Sequence, residues 1–256
     1  TDGIIGEFEN QEESWSEWTP KIGLDYSVAE DVMVYLSVSK GFKSGAFNFT
    51  GGPAVDPEFI TAYEIGAKTM LLDGRLRLNV SAFNYDYKDL QIDSLNETAT
   101  GNVLHNAGSA EMQGLEIAAT ALVSESLQMD IGLAWLDAEY ADYSRFDPAS
   151  PSGIVNLKGN KLPQSPEFTA SIGLSYNRQI DDIGNLRARL DYYYSAEKFF
   201  NEFNNQAVQD NYELINARIG FQSQSGVWDV ALFGENLTDE LVFTDAAIVP
   251  AWLGEE

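Results

Sequence analysis

The one histidine of the chain, His105 in "NVLHNAG", is the first place to look for chemistry. Acid–base or nucleophilic catalysis needs an imidazole with a nucleophile and an orienting group within hydrogen-bond reach. The residues around His105 supply neither, so the histidine reads as a loop residue without a catalytic role. Two acidic groups, Glu7, Glu9, Glu12, Glu13 and Asp137, Glu139, Asp142, have the ligand type for divalent cations. They lack the spacing of a calcium loop, so a solvated acidic surface is the plainer reading. "GFKSG" has glycines and a lysine but not the frame of a phosphate loop. No cofactor motif is present, and enzymatic readings are poor. Charges on alternating positions stand out more: Arg187, Arg189 and Asp191 in one segment, Glu64 and Lys68 in another, Arg218 in a third. Spacing by two puts such residues on one face of an extended strand.

The elements that must position them are strands. About ten segments alternate with period two. The clearest are Ile22, Leu24, Tyr26, Val28; Phe168, Ala170, Ile172, Leu174, Tyr176; and Leu186, Ala188, Leu190, Tyr192, Tyr194, each set facing away from polar neighbours. Others lie near 61–71, 75–91, 113–122, 127–140, 212–222 and 227–237. The 75–91 run changes phase at Ala82-Phe83, where a β-bulge is expected. "VYLSVSKGFKSGAFN" opens as a strand, and its Gly41 and Gly45 read as a bend where the strand ends, with Lys40 and Lys43 at its exit. No convincing helix and no low-complexity linker is found.

Composition narrows the class. Of 256 residues, 44% are hydrophobic and 12% aromatic, which suits a folded chain. With 40 acidic and 15 basic residues the net charge is -25, a balance that repels nucleic acid. Cysteine is absent, so there is no disulfide framework or thiolate metal site. No apolar run reaches the length of a transmembrane helix. The first residues have neither the basic nor the apolar region of a signal peptide.

The connections carry more information. Short ones at 29–31, 72–74, 123–126, 179–185 and 223–226 alternate with long ones near 41–60, 92–112, 141–167 and 199–211. A soluble sandwich has no reason to keep that rhythm, whereas a transmembrane β-barrel does, with tight turns on one rim and elaborated loops on the other. Aromatics toward the long-loop ends (Phe83, Tyr85, Tyr87; Trp135, Tyr140; Tyr192, Tyr194, Phe199, Phe200) are expected in an interfacial belt. The fold class read from this is all-β: an antiparallel transmembrane β-barrel, here about ten strands.

"YLSVSKGFKSGAFN" followed by "VDPEFITAYEIGAKTMLLDGRLRLNVSAFNYDYKDLQI" resembles the C-terminal part of a TonB-dependent outer-membrane receptor of the siderophore-receptor kind. "WTPKIGLDYSV", "NAGSAEMQGLEI", "KLPQSPEFTASIGLSY" and "ALFGENLTDE" agree and stand in family order over most of 18–240. The resemblance implies a 22-stranded barrel filled by an N-terminal plug, driven by an inner-membrane TonB complex and importing a scarce large nutrient, most often a ferric siderophore. On that reading residues 1–256 are a partial barrel domain, roughly strands 12 to 21, with the plug and the final strand absent.

Partners expected on the same reading are outer-membrane lipid, lipopolysaccharide, the plug, the TonB complex and an iron chelate or similar nutrient; nucleic acid is not among them. The location is the outer membrane of a Gram-negative bacterium. Lys68, Glu64, Arg187, Arg189, Asp191 and Arg218 are candidates for facing the lumen or plug, with ion pairing between strands as the simpler role. Phe47, Asn48, Phe49, Tyr143, Phe146 and Phe203 are candidates for ligand contact in the outer loops. Acidic loops disfavour anionic ferric catecholates and lean toward a neutral or cationic cargo. Two readings stay beside this one: a self-contained ten-stranded outer-membrane barrel, porin-like or enzymatic, and a soluble all-β binding protein.

Overall fold

The computed structural model describes residues 12–48, 54–95, 102–106, 108–147, 150–205 and 207–246. Among them are sixteen strands and no helix. Ten long strands form one antiparallel sheet in the order β1 (Lys21–Ala29), β2 (Val32–Lys43), β3 (Glu58–Leu71), β4 (Leu76–Lys88), β7 (Ser109–Leu122), β8 (Leu127–Asp142), β11 (Phe168–Ile180), β12 (Gly184–Ser195), β15 (Tyr212–Ser223) and β16 (Asp229–Gly234). The remaining six make three hairpins inside the long connections: β5 (Gln91–Leu95) with β6 (Asn102–Asn106), β9 (Ser144–Phe146) with β10 (Ile154–Asn156), and β13 (Lys198–Phe199) with β14 (Val208–Gln209).

Sequential strands are neighbours throughout, so every short turn falls on one edge of the sheet and every long connection on the other. The sheet is open. β1 and β16 end the order with one partner each, and no ladder joins them among the described residues.

Register fixes the two faces. Tyr35, Glu64's partner Ser37, and then Phe83, Gly114, Leu136 trace one face across β2, β3, β4, β7 and β8. Asp130↔Gly173, Gly173↔Asp191 and Asp191↔Asn216 continue it to β15. The opposite face collects Ile22, Leu24, Leu36, Ile65, Leu115, Trp135, Ile172, Leu190, Ile219, Val230 and Leu232, all substantially exposed, Ile22 and Leu232 by three quarters. No second layer covers it. A water-soluble sheet protein buries such a face against another element; here the core is elsewhere. The buried apolar side chains among the described residues, such as Ala110, Tyr140, Tyr143 and Leu157, sit at the long-loop edge.

Three sequence expectations need correction. The phase change at Ala82-Phe83 is not a bulge: β4 keeps an unbroken register with both β3 and β7. What changes is the surroundings. Leu76, Leu78, Val80 and Ala82 lie on the apolar face, and Asn84 and Asp86 continue the same side beyond the apolar zone, while Phe83, Tyr85 and Tyr87 lie on the face of Glu64. Those three rings, and Tyr140 in the buried cluster, therefore do not belong to an interfacial belt, whereas Trp135, Tyr192 and Tyr194 do share the apolar face. Finally, β2 does not stop at Lys40. It pairs with β3 through Lys43↔Glu58, and Lys40 rests over the Phe59 ring at 4.5 Å.

Candidate functional site

Two places gather functional side chains. The first is the polar face of the sheet. A cavity of about 340 Å³ lies against it, lined from β4 to β12 by residues including Arg77, Asn79, Thr120, Asp130, Ser171, Arg189, Asp191 and Tyr193. A lining that spans five neighbouring strands makes this face the concave one. Arg189 is its hub. Its guanidinium donates to Asp191 at 2.5 and 2.8 Å, to Asp130 at 3.3 Å and to the Ser175 hydroxyl at 2.5 Å. It can lie flat across β11 because residue 173 is glycine; a Cβ there would meet the guanidinium at 2.2 Å.

Arg187 pairs instead with Asp229 at 2.8 Å. Glu64 accepts from the Tyr35 hydroxyl at 2.5 Å, and Lys68 sits over the same ring at 5.4 Å from its centroid. Arg218, opposite Arg189 in register, lies 5.9 Å from the Phe233 ring. All six charged candidates thus occupy one face, in four separate groups: Arg189 with Asp191, Arg187, Glu64 with Lys68, and Arg218. Ion pairs of this exposure, about 40% for Arg189, Asp130 and Asp191, are screened and contribute little to stability. Their value is in setting the charge pattern of the concavity.

The second place is the long-loop rim, which is tied together. Tyr140, Tyr143, Ala110 and Leu157 form a buried cluster with Tyr87, Leu90, Ile92, Val155, Leu162 and Phe203 packed around it. Aromatic rings bury large areas and so can hold even short hairpins in place. The segment 157–162 runs beside the end of β8, bonded through Leu157 N–H to Tyr143 O and Leu162 N–H to Ala138 O. Lys161 then reaches Asp137 at 2.6 Å and Glu139 at 3.0 Å. Burial opposes the charge on this ammonium, but the two carboxylates outweigh it and raise its pKa. Arg145 pairs with Glu202 and covers the Phe203 ring at 4.9 Å. Asn204 exchanges bonds with Lys161, and Asn48 exchanges bonds with Leu104.

The loop candidates divide accordingly. Phe47 and Asn48 line the β2–β3 connection. Phe49 lies outside the described residues, as do Glu7 and Glu9 of the acidic groups. Phe146 and Phe203 are half-buried supports of the hairpins. Tyr143 is only 1% exposed, so it presents no surface to a ligand; burial raises its pKa, and its hydroxyl has no hydrogen-bond partner. His105 belongs to β6, its ring 6.3 Å from that of Tyr143. Asp137 and Glu139 are engaged by Lys161, and no metal-type cluster of His, Cys, Asp or Glu occurs among the described residues.

Sequence reasoning missed a second cavity at this rim, of about 430 Å³, lined by Glu12, Glu13, Trp15, Phe47, Ala54, Val55 and Asp56. Its walls come together from segments some forty residues apart, which no local pattern reveals. The glycine at 45 was the available signal: a Cβ there would fall 2.3 Å from the Val55 carbonyl oxygen and 2.4 Å from the Trp15 ring.

Comparison with known proteins gives a consistent picture. A family model described as TonB dependent receptor-like, beta-barrel, matches residues 2–237. The metal-pseudopaline receptor CntO of Pseudomonas aeruginosa is 34% identical over 122 residues, covering 47% of this chain and 17% of that protein. The ferric-pyoverdine M114 receptor PbuA of Pseudomonas sp. is 25% identical over 240 residues, covering 88% of this chain and 26% of the relative. Among solved structures, the ferric yersiniabactin uptake receptor FyuA from Yersinia pestis superposes with a TM-score of 0.74 at 20% identity, over 90% of this chain and 34% of that one. The chain spans between a sixth and a third of these proteins.

Proposed function

Because this chain belongs to the TonB-dependent receptor β-barrel family, we propose that it forms part of an outer-membrane receptor importing a metal-chelate nutrient, a ferric siderophore, and that it is not an enzyme. The observation that carries this reading is the bare apolar face of a ten-stranded meander whose long connections all lie on one edge. In lipid that face needs no cover, while backbone groups must pair within the sheet, and they do except along β1 and β16.

The open edges support a larger barrel in which further strands pair with β1 and β16, leaving residues 1–256 as a partial barrel domain. They speak against a self-contained ten-stranded barrel, as the uncovered face speaks against a soluble one. In the larger barrel the concave polar face, with Glu64, Lys68, Arg187, Arg189, Asp191 and Arg218, meets the plug or the transport path. The apolar face meets lipid, the rim above it meets lipopolysaccharide, and energy comes from the inner-membrane TonB complex. The cargoes for which the relatives are named, a metal–pseudopaline complex, ferric pyoverdine and ferric yersiniabactin, support a chelated metal as the class of cargo.

The test is deletion of the full-length gene with ⁵⁵Fe uptake measured from a panel of iron chelates, together with fractionation of the tagged protein. Loss of uptake for one chelate and recovery in the detergent-solubilised outer membrane are expected. Recovery in the soluble fraction, or uptake unchanged for every iron and other metal chelate tried, overturns the reading.

A further inference from the structure

The cavity beside Trp15 is built rather than incidental. The β2–β3 connection is pinched at its base by the Ala46–Val55 bridge, with N–H···O bonds of 3.3 and 2.9 Å. Asp56, next in sequence, is held through its backbone: its N–H donates to Asn106 at 2.8 Å, and its carbonyl accepts from Gln91 at 3.0 Å and Asn106 at 2.9 Å. Trp15 lies over Gly45 and tilts 52° against Phe47, the ring centroids 5.9 Å apart. Two aromatic residues, Trp15 and Phe47, and three acidic ones, Glu12, Glu13 and Asp56, therefore line one space of about 430 Å³, within the size range of small-ligand sites. No lysine or arginine is among the described residues that line it. Lys43, at the foot of the same connection, is turned to Glu58 at 3.9 Å.

We infer that this cavity is a subsite for an organic cation, an ammonium or guanidinium group carried on the cargo. Ring faces present negative potential to a cation, and they do so most effectively for a group that keeps some apolar surface against them. The three carboxylates add a field of the same sign, in a chain of net charge -25. An anionic group gains nothing from either wall. The proposal rests on the import reading and adds to it the charge of the recognised arm. The same chemistry would take a free polyamine, so the test separates the two sources.

Full-length receptor in detergent is titrated with dansylcadaverine, which carries an ammonium, and with dansylamide and dansylglycine, which share the fluorophore but are neutral and anionic. Saturable binding of the amine at least tenfold tighter than either control is expected. The isosteric set Glu12→Gln, Glu13→Gln, Asp56→Asn should remove that preference, and Trp15→Ala should weaken amine binding tenfold or more. Displacement of the probe by ferrioxamine B, a ferric trihydroxamate with one free ammonium, but not by its neutral N-acetyl form, assigns the site to an arm of the cargo. Displacement by spermidine alone assigns it to free polyamines. Equal affinity for all three probes, or an amine preference that survives the triple amide set, overturns the proposal. Heat-modifiable gel mobility of each variant reports that the barrel is folded, so a failed subsite is distinguished from a failed barrel.

Discussion

Leu190→Arg and its neighbour Arg189→Leu test which face meets lipid. Leu190 is 43% exposed on the apolar face, paired in register with Leu174 and Ala217. It lies six residues into β12, which starts at Gly184 directly after the short turn. Six residues cover about 20 Å of strand, or about 15 Å along the membrane normal at a tilt near 40°. With an apolar band of about 25 Å, position 190 falls close to its middle. An arginine there is expected to cost about 2–4 kcal/mol of folding stability. Arg189→Leu removes a guanidinium from Asp130 and Asp191, both exposed to water on the concave face, where pairing is worth about 1 kcal/mol or less. The assay is denaturant-induced unfolding of the full-length receptor in lipid vesicles, combined with a fluorescent probe at each position and brominated lipid as quencher. Strong destabilisation and quenching at 190, with neither at 189, is expected. Quenching at 189 but not at 190 would invert the faces and refute the assignment of the polar face to the barrel interior.

Other expectations follow from the rim and the edges. Tyr143→Phe removes a buried hydroxyl that has no partner and should stabilise the loop cluster by roughly 1 kcal/mol; hydrogen exchange in 157–162 reads the gain, and faster exchange would count against it. Gly173→Ala should drive Arg189 off its present course across β11, changing chelate uptake more than thermal stability; unchanged uptake and Tm would mean the guanidinium has room to spare. Single cysteines at Asn48 and Ser152 of the full-length receptor should react with a membrane-impermeant maleimide on intact cells while one at Gly74 does not, and equal labelling of all three would sink the topology. Residues 1–256 expressed alone should not insert as a stable heat-resistant monomer, since β1 and β16 keep unpaired edges; a folded monomer in vesicles would favour the ten-stranded alternative.

The ten long strands and the rhythm of their connections could be read from residue order because alternation is a local signal, enforced wherever one face of a strand is apolar and the other polar. The signal fails where the enforcement ends. At Ala82-Phe83 the strand leaves the apolar zone, outward residues turn polar, and Tyr85 and Tyr87 face inward, so an unbroken strand imitates a bulge. At Lys40 the same transition imitates a strand end. The three loop hairpins were hidden for another reason: β5, β9 and β13 are two to five residues long, too short for a periodic signal, and the hairpins pack through Ile92, Val155 and Phe203 onto a cluster gathered from several connections. The charged candidates on β3, β12 and β15 were legible as one face. Their grouping into a hub at Arg189, a pair at Arg187, a tyrosine-linked carboxylate at Glu64 and an arginine beside the Phe233 ring at Arg218 depended on neighbours across strands. The cavity by Trp15 was not legible in residue order, since Gly45, which makes room for the Trp15 ring, reads from sequence as a bend.

The shared cluster beneath the hairpins bears on how such a rim can be re-engineered. Tyr140 and Tyr143 come from the end of β8 and the residue just past it, Leu157 and Leu162 from the segment that returns to β11, Tyr87 from β4, and Phe203 from the β12–β15 connection. Transplanting one of these loops into another receptor would carry away part of a common interior and leave an apolar wound on each side of the graft. Exchange of recognition properties should therefore succeed when the connections after β4, β8 and β12 move together as a cassette, while the connection after β2, which meets them through Asn48 and Asp56 by polar bonds, can be swapped apart from that cassette if Trp15, packed on Gly45 and Phe47, travels with it.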